Sequence, residues 1–293
     1  MSAIVAISSV AVILIGLGPE VEFVASVGKN IDGLDLNNPQ CLAVNPVQEE
    51  FLVADALNDR VVIFDTLGQV VHAFPLGSGR RNPFGIAVNS QGQILVGAMD
   101  APELWLFDYS GVFLESFALP DSVLPGRLLF HDNGEILMVD RSGKGIMRLD
   151  SAGNVLGSIV TTDPRCKPSS VFIDGSHHLA MISSGGKVMT GFDQNGQVLY
   201  SIGDHGRRPE DFSYPTATLV DSIGWLWVID SFRHHVKRFD SKGNFVDIFG
   251  QRGVNPGEFY FPTDIKLTPS GKLAILDKGI GRLQIFRLTY GEK

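Results

Sequence analysis

Six polar side chains recur along this chain at nearly constant intervals: Asn45, Asn89, His131, Asp174, Asp221 and Thr268. Oxygen and imidazole donors repeated in this way could converge on one axis and hold a divalent cation or waters. Asn and Asp are also what a turn after a strand prefers, since their side chains accept from the backbone two residues on, so turn capping explains the same ring. The adjacent pairs His177-His178 and His234-His235 offer metal-binding residue types. Neighbours on an extended chain point to opposite sides, however, and a single ion would rarely take both. A second group is cationic: Arg165, Lys167, Arg207, Arg208, Arg233, His234 and Arg252. Clustered guanidiniums fork onto carboxylate or phosphate oxygens, which makes this set the candidate ligand patch. The competing account is solvated loop charge paired with Glu210, Asp211 and Glu258, a common and weak arrangement. No GxSxG, HExxH, P-loop or GxGxxG sequence occurs, which removes the common hydrolase and nucleotide motifs. Cys41 and Cys166 lack CxxC spacing, so neither zinc nor a disulfide framework is implied.

What must position these residues is read from repetition. A proline opening an apolar run recurs at Pro39, Pro83, Pro125, Pro168, Pro215 and Pro262, and an apolar-Asp pair keeps step with it at Asp65, Asp108, Asp150, Asp193 and Asp240. Each of these Asp residues is followed three positions later by Gly, from Gly68 to Gly243. Within a unit, short β-branched or aromatic runs alternate with turn residues, as in GIAV, NSQG, QILVGA, LWLFD, YSG and VFLESFAL of the second unit. Four strands in a repeat of 42 to 47 residues make a propeller blade. The predicted fold is all-β, a six-bladed β-propeller of four-stranded antiparallel blades. The sixth unit ends without a fourth strand, whereas VEFVASVG (21–28) stands alone at the other end. This N-terminal strand is therefore expected to complete the last blade and close the ring, removing two exposed edges.

Composition agrees. The chain of 293 residues is 44% hydrophobic with 33 glycines, and its 19% charged content lies below the usual roughly 25%, which excludes a disordered or coiled-coil chain. A net charge of -8 argues against a protein that coats nucleic acid by bulk charge. Residues 1–19 carry no charged side chain before Glu20, the composition of a signal peptide or membrane anchor. The reading is thus two segments, 1–19 as leader or anchor and 20–293 as one propeller, in an exported or membrane-anchored protein, with a cytoplasmic chain as the alternative.

The residues resemble the NHL-repeat family of six-bladed propellers. The motif is fullest in GDHGRRPEDFSYP (203–215) with LWVIDSFRHHVKRFDSKGNFVDIFG (226–250), again in GQRGVNPGEFYFP (250–262), and in the first unit with its Asp55, Asn58, Arg60 arrangement. The likeness spans residues 21–293, with units three and four degenerate: Ser183 stands where Asp55, Asp140, Asp230 and Asp277 stand elsewhere. It implies that the connectors between blades and the loops from second to third strands share one face. Sorted on that basis, the connector face is near neutral and carries the arginine cluster, while the opposite face is strongly acidic, with only Lys242, Lys272 and Lys293 as its positive groups. The function expected is a non-catalytic scaffold presenting Arg207, Arg208, Arg233 and Arg252, with Phe212, Tyr214, Phe232 and Tyr260, to a protein or anionic ligand. No cofactor is expected, a divalent cation in the channel being the one left open. Two other readings stand beside it. Propellers of similar shape include metal-dependent lactonases and lyases with a divalent ion at the channel mouth. Two positions after each repeat proline, however, lie Cys41, Gly85, Arg127, Ser170, Ala217 and Asp264, a ring with one carboxylate and no histidine. The third reading is RNA binding, as in animal NHL propellers, which export would rule out.

Overall fold

In the computed structural model of the chain, the described residues are 18–143, 145–174, 176–193 and 195–291. Six four-stranded antiparallel sheets follow one another as blades around a central channel. Blade one runs Pro39–Asn45, Glu50–Asp55, Arg60–Phe64 and Val70–Pro75, and the innermost strands of the next five begin at Pro83, Pro125, Pro168, Pro215 and Pro262. Each repeat proline opens an innermost strand, where a residue without an N–H costs no ladder bond at the strand start. In each Asp-x-x-Gly turn the carboxylate accepts from the backbone: Asp65 Oδ1 takes the N–H groups of Leu67 and Gln69, and Gly68 adopts a φ of 86° that a residue with a side chain would resist.

The ring closes as the orphan strand predicts. Glu20–Val27 pairs antiparallel with Arg282–Thr289, from Glu20 opposite Thr289 to Val27 opposite Leu283, and becomes the fourth strand of blade six. Of the leader segment, residues 1–17 lie outside the described residues. Gly18 and Pro19 do not stand clear of the ring: Gly18 lies against the ring of Trp225, and Pro19 accepts a hydrogen bond of 2.9 Å from Arg238 Nη1 of blade five.

Blades are joined by apolar wedges and by polar clamps. Single clusters of buried side chains bridge blades one and two, two and three, three and four, five and six, and six and one. Between blades four and five the core divides into two small groups, around Phe172 and Ile182 and around Val188 and Phe212. The clamps explain why Asp ends the second strand of a blade. Asp55 accepts the N–H of Asn37 in the preceding connector at 2.7 Å and Arg60 Nε at 2.7 Å, while Arg60 Nη1 donates to the carbonyl of Ile31. Asp277 repeats this with Tyr260 N and Arg282, whose guanidinium also takes the carbonyls of Val254 and Glu258. In blade five Asp230 accepts from Ser213 and Tyr214, and the cation is Lys237, which donates to the carbonyls of Pro209 and Asp211. Blade four keeps only Ser183, whose hydroxyl oxygen accepts Lys167 N, and blade two has Ala98.

Because Asp55 and Arg60 are buried, removing one partner leaves the other uncompensated, a loss of about 3–5 kcal/mol. Asp55→Ala is expected to lower the urea unfolding free energy by that amount. A loss below about 1 kcal/mol, the scale of an exposed pair, would show that the clamp is not a stability element.

Candidate functional site

The innermost strands bring one residue of each blade, two after the repeat proline, to the channel just below the connector face. There Arg127 of blade three extends across the channel. Its Nη1 donates to Ser169 O of blade four at 2.7 Å, its Nη2 donates to Thr263 O of blade six at 2.5 Å, and its Nε lies 3.4 Å from Asp264 Oδ2. Asp264 in turn accepts Leu42 N at 2.8 Å and Ile265 N at 2.9 Å, with Lys266 Nζ 3.5 Å away. Blades one, three, four and six are thus tied at one buried charged knot. Burial pushes the Asp264 carboxyl up, but Arg127, then Lys266 and the two backbone donors, outweigh it and hold the group below the ordinary carboxylate range. Cys41, beside the knot, is pushed the other way. Burial raises its thiol to about 11 despite the nearby guanidinium of Arg127, so it is a protonated thiol at neutral pH and no nucleophile.

Three further groups stand around this floor. Lys278 follows the clamp residue Asp277 and donates from Nζ to Gln40 Oε1 at 3.1 Å. Burial lowers the pKa of its amine; the Cys41 thiol opposes that, and the charges of Arg127 and Arg141 add to it. Arg141 donates to Met99 O at 2.8 Å and lies 4.2 Å over the ring of Phe84. Tyr214, whose hydroxyl lies within electrostatic reach of Arg127, stacks on the exposed ring of Phe232 at a centroid distance of 4.4 Å and an angle of 13°. The mouth therefore combines cations with an aromatic platform, the combination that receives a planar or anionic molecule.

Residues of this mouth do not fit a divalent metal. The level supplies one carboxylate, Asp264, and a guanidinium already stands against it. Among the described residues no group of three or more His, Cys, Asp or Glu is disposed to hold a metal ion. The sixfold polar ring Asn45, Asn89, His131, Asp174, Asp221 and Thr268 lies at the far end of the innermost strands, where each side chain accepts from its own turn: Asn45 from Val47, Asn89 from Gln91, His131 from Asn133, Asp174 from Ser176, Asp221 from Ile223 and Thr268 from Lys272. Part of the ring borders a cavity of about 700 Å³ at that mouth.

Several of the candidate cations have partners of their own. Arg165 pairs with Asp163 at 3.0 Å, Arg208 with Asp211 at 2.9 Å, and Arg233 donates to the carbonyls of Arg208 and Gly206. Lys167 and Arg207 are exposed on their connectors. Arg252 lies 5.2 Å from the ring of Tyr260, which stacks on His234. His234 Nδ1 accepts Phe261 N at 3.0 Å, the bond that Asp59 makes with Asn82 N four blades earlier in the chain; both residues adopt left-handed conformations. His234 is thus a staple between blades five and six. Phe212 lies buried beneath the patch.

Neither a family model nor a curated protein matches the sequence. Solved structures do. A streptogramin B lyase superposes with a TM-score of 0.68 at 12% identity, covering 93% of this chain and 98% of that one. Virginiamycin B lyase from Staphylococcus aureus gives 0.67 at 12%, with 92% and 100% covered. A gluconolactonase from Xanthomonas campestris gives 0.65 at 19%, with 86% of each chain covered. At these identities the likeness establishes the architecture: the chain is a six-bladed β-propeller. The reading of a non-catalytic binding scaffold is corrected: several of the similar structures are named as lyases or gluconolactonases, and these accord better with the enzyme alternative. Of the cations that were to serve the scaffold, Arg165, Arg208 and Arg233 are engaged by Asp163, Asp211 and backbone carbonyls, while Lys167 and Arg207 stay exposed.

Nothing local in the sequence brings Arg127, Arg141 and Lys278 together. The available signal was a cation in the same register as Asp264, in a ring otherwise small or neutral. Asp264 has a folded pKa below its unfolded value of about 3.9, so it stabilises the fold above that pH, and this contribution disappears as acid protonates it through the lower, folded value. The stability gap between wild type and Asp264→Asn, from urea unfolding, is expected to be wide at pH 7 and to narrow steadily below pH 4. A gap independent of pH would contradict the electrostatic knot.

Proposed function

We propose that this propeller is an enzyme that opens ester or lactone bonds of an anionic substrate seated on the connector-face mouth, using its own cations in place of a metal. The observation that carries the reading is Lys278, an amine whose pKa is lowered by burial and by Arg127 and Arg141 and whose Nζ is held by Gln40. A lysine tuned down in this way spends more of its time as the free base near neutral pH, which suits it to accept a proton. Lys278, oriented by Gln40, takes the proton from a C–H if the bond is broken by elimination, or from water if by hydrolysis. The negative charge that collects on the acyl oxygen faces Arg141 and the rim of the Arg127 knot, fixed cations that need no reorganisation as charge develops. Tyr214 and Phe232 give the body of the substrate a face on which to lie. The named activities of the lyase and gluconolactonase neighbours support the reaction class; the single carboxylate at the mouth supports a metal-free course.

The repeat motif at 203–250 and 250–262 supports assignment to the NHL type within the propellers, and the uncharged segment 1–19 supports an exported or tethered protein. Fractionation of native protein with N-terminal sequencing tests the latter: mature protein beginning near Glu20, or full-length protein in a membrane fraction, is expected, and full-length soluble cytoplasmic protein would refute it.

The activity is tested on lactones and carboxylate-bearing esters. Turnover is expected in the presence of EDTA, rising with pH to a plateau below the ordinary lysine value of 10.5. Lys278→Met and Lys278→Arg should each lose roughly 10²-fold or more in kcat, the second showing that charge alone does not suffice. Product analysis separates elimination from hydrolysis. No turnover across the panel, or turnover abolished by EDTA and restored by a divalent ion, would overturn the proposal.

A further inference from the structure

Five of the six inter-blade wedges are filled, and the sixth is open. One residue of each outermost strand serves as filler, the one paired with the position four before the Asp-x-x-Gly aspartate or its counterpart: Val27, Phe74, Phe117, Ile159, Ile202 and Phe249. In four wedges the turn glycine of the next blade closes over it. A Cβ built on Gly68 would meet Val27 at 2.7 Å, on Gly111 Phe74 at 2.3 Å, on Gly153 Phe117 at 2.5 Å, and on Gly196 Ile159 at 3.3 Å. Between blades five and six, Phe249 is enclosed by Phe259, Phe286 and Trp227. Between blades four and five the equivalent Gly243 has nothing within 4 Å. Ile202 is accordingly 42% exposed, against 4% for Phe74, 6% for Phe117 and 9% for Ile159.

The space left is a cleft of about 850 Å³ walled by Phe172, Ile182, Met189, Phe212, Val228 and Phe239. That volume lies in the range of small-molecule sites, and apolar walls with polar groups at the ends are the usual form of such sites. The cleft runs beside Val198–Ile202 and Leu226–Asp230, five-residue strands spanning roughly 16 Å. Charged groups stand at both ends, with Asp204 and Glu210 beside Arg208 and Asp211 at the connector end. At the connector end Arg208 is committed to Asp211. At the other end Asp174 is held by Tyr200 Oη at 2.6 Å, and Asp240 by the N–H groups of Lys242 and Asn244. The Lys242 side chain is exposed there and, among the described residues, its amine makes no hydrogen bond or ion pair.

We infer that the open wedge between blades four and five is a second binding site, separate from the channel mouth, for a single-chain amphiphile with a carboxylate head: the acyl chain lies along the cleft, and the head meets Lys242. Burying the chain covers the uncovered side of Ile202 and completes the core that Phe74, Phe117 and Phe249 complete in three other wedges.

Isothermal titration of the full chain with dodecanoate, dodecanol and dodecylamine, below their micelle concentrations, tests this. Dodecanoate is expected to bind saturably at one site and raise Tm. Ile202→Phe, which installs the filler of blades one and two, should weaken that binding at least tenfold while raising the Tm of the unliganded protein. This variant is folded by design of the other wedges, and its Tm verifies that. Lys242→Met should weaken dodecanoate several-fold and leave dodecanol unchanged. No saturable binding of dodecanoate, unchanged affinity in Ile202→Phe, or dodecylamine binding as tightly as dodecanoate would each overturn the inference.

Discussion

The structure depends on a buried carboxylate at the end of the second strand of a blade. Connectors between blades are irregular backbone entering a dry interior, and their N–H and carbonyl groups need partners that no sheet supplies. Asp55, Asp230 and Asp277 each take such N–H groups, and a cation a few residues on, Arg60, Lys237 or Arg282, takes the connector carbonyls. One acid and one base thus satisfy both sides of the backbone and neutralise each other. The clamp is graded around the ring: full in blades one, five and six, reduced to Asp140 with Ser142 in blade three, to a hydroxyl in blade four, and missing in blade two. Blade four, with the weakest polar tie among those that keep one, also flanks the one wedge whose apolar filling fails.

The channel mouth is a consequence of that framework. Because the clamps fix where each second-to-third-strand loop sits, Lys278 is placed next to Asp277, and Arg141 next to Asp140, at the same height as the Arg127 knot. Their positive charges are partly desolvated and mutually unfavourable, and Asp264 compensates them only in part. Arrangements of this kind cost stability and are typical of places where chemistry is done.

Architecture was legible in the sequence because a blade is local: proline, strand, turn and Asp-x-x-Gly recur within one repeat, and the surplus strand at 21–28 had only one vacancy to fill. The electrostatics were less legible. Arg127 and Asp264 sit on opposite blades, and nothing local in either repeat announces the other. Arg165 and Arg208 had two readings in the sequence, as anion ligands or as loop charges paired with nearby acids, and Asp163 and Asp211, two and three residues away, close on them. His234 looked like chemistry and proved to be the imidazole version of Asp59. The opened wedge was hidden altogether, since Ile202 is an ordinary strand residue until its register beside Phe74 and Phe117 is known.

Closure of blade six joins Glu20 to Thr289, the earliest described strand with the latest. Until Arg282–Thr289 is made, Glu20–Val27 has no partner, and until the two pair blade six presents an unpaired edge of the kind that recruits other chains. The circle is therefore sealed by the pairing of greatest sequence separation among the described strands, whose closure entropy grows with loop length. A nascent chain stalled in its sixth repeat would hold five finished blades and no ring.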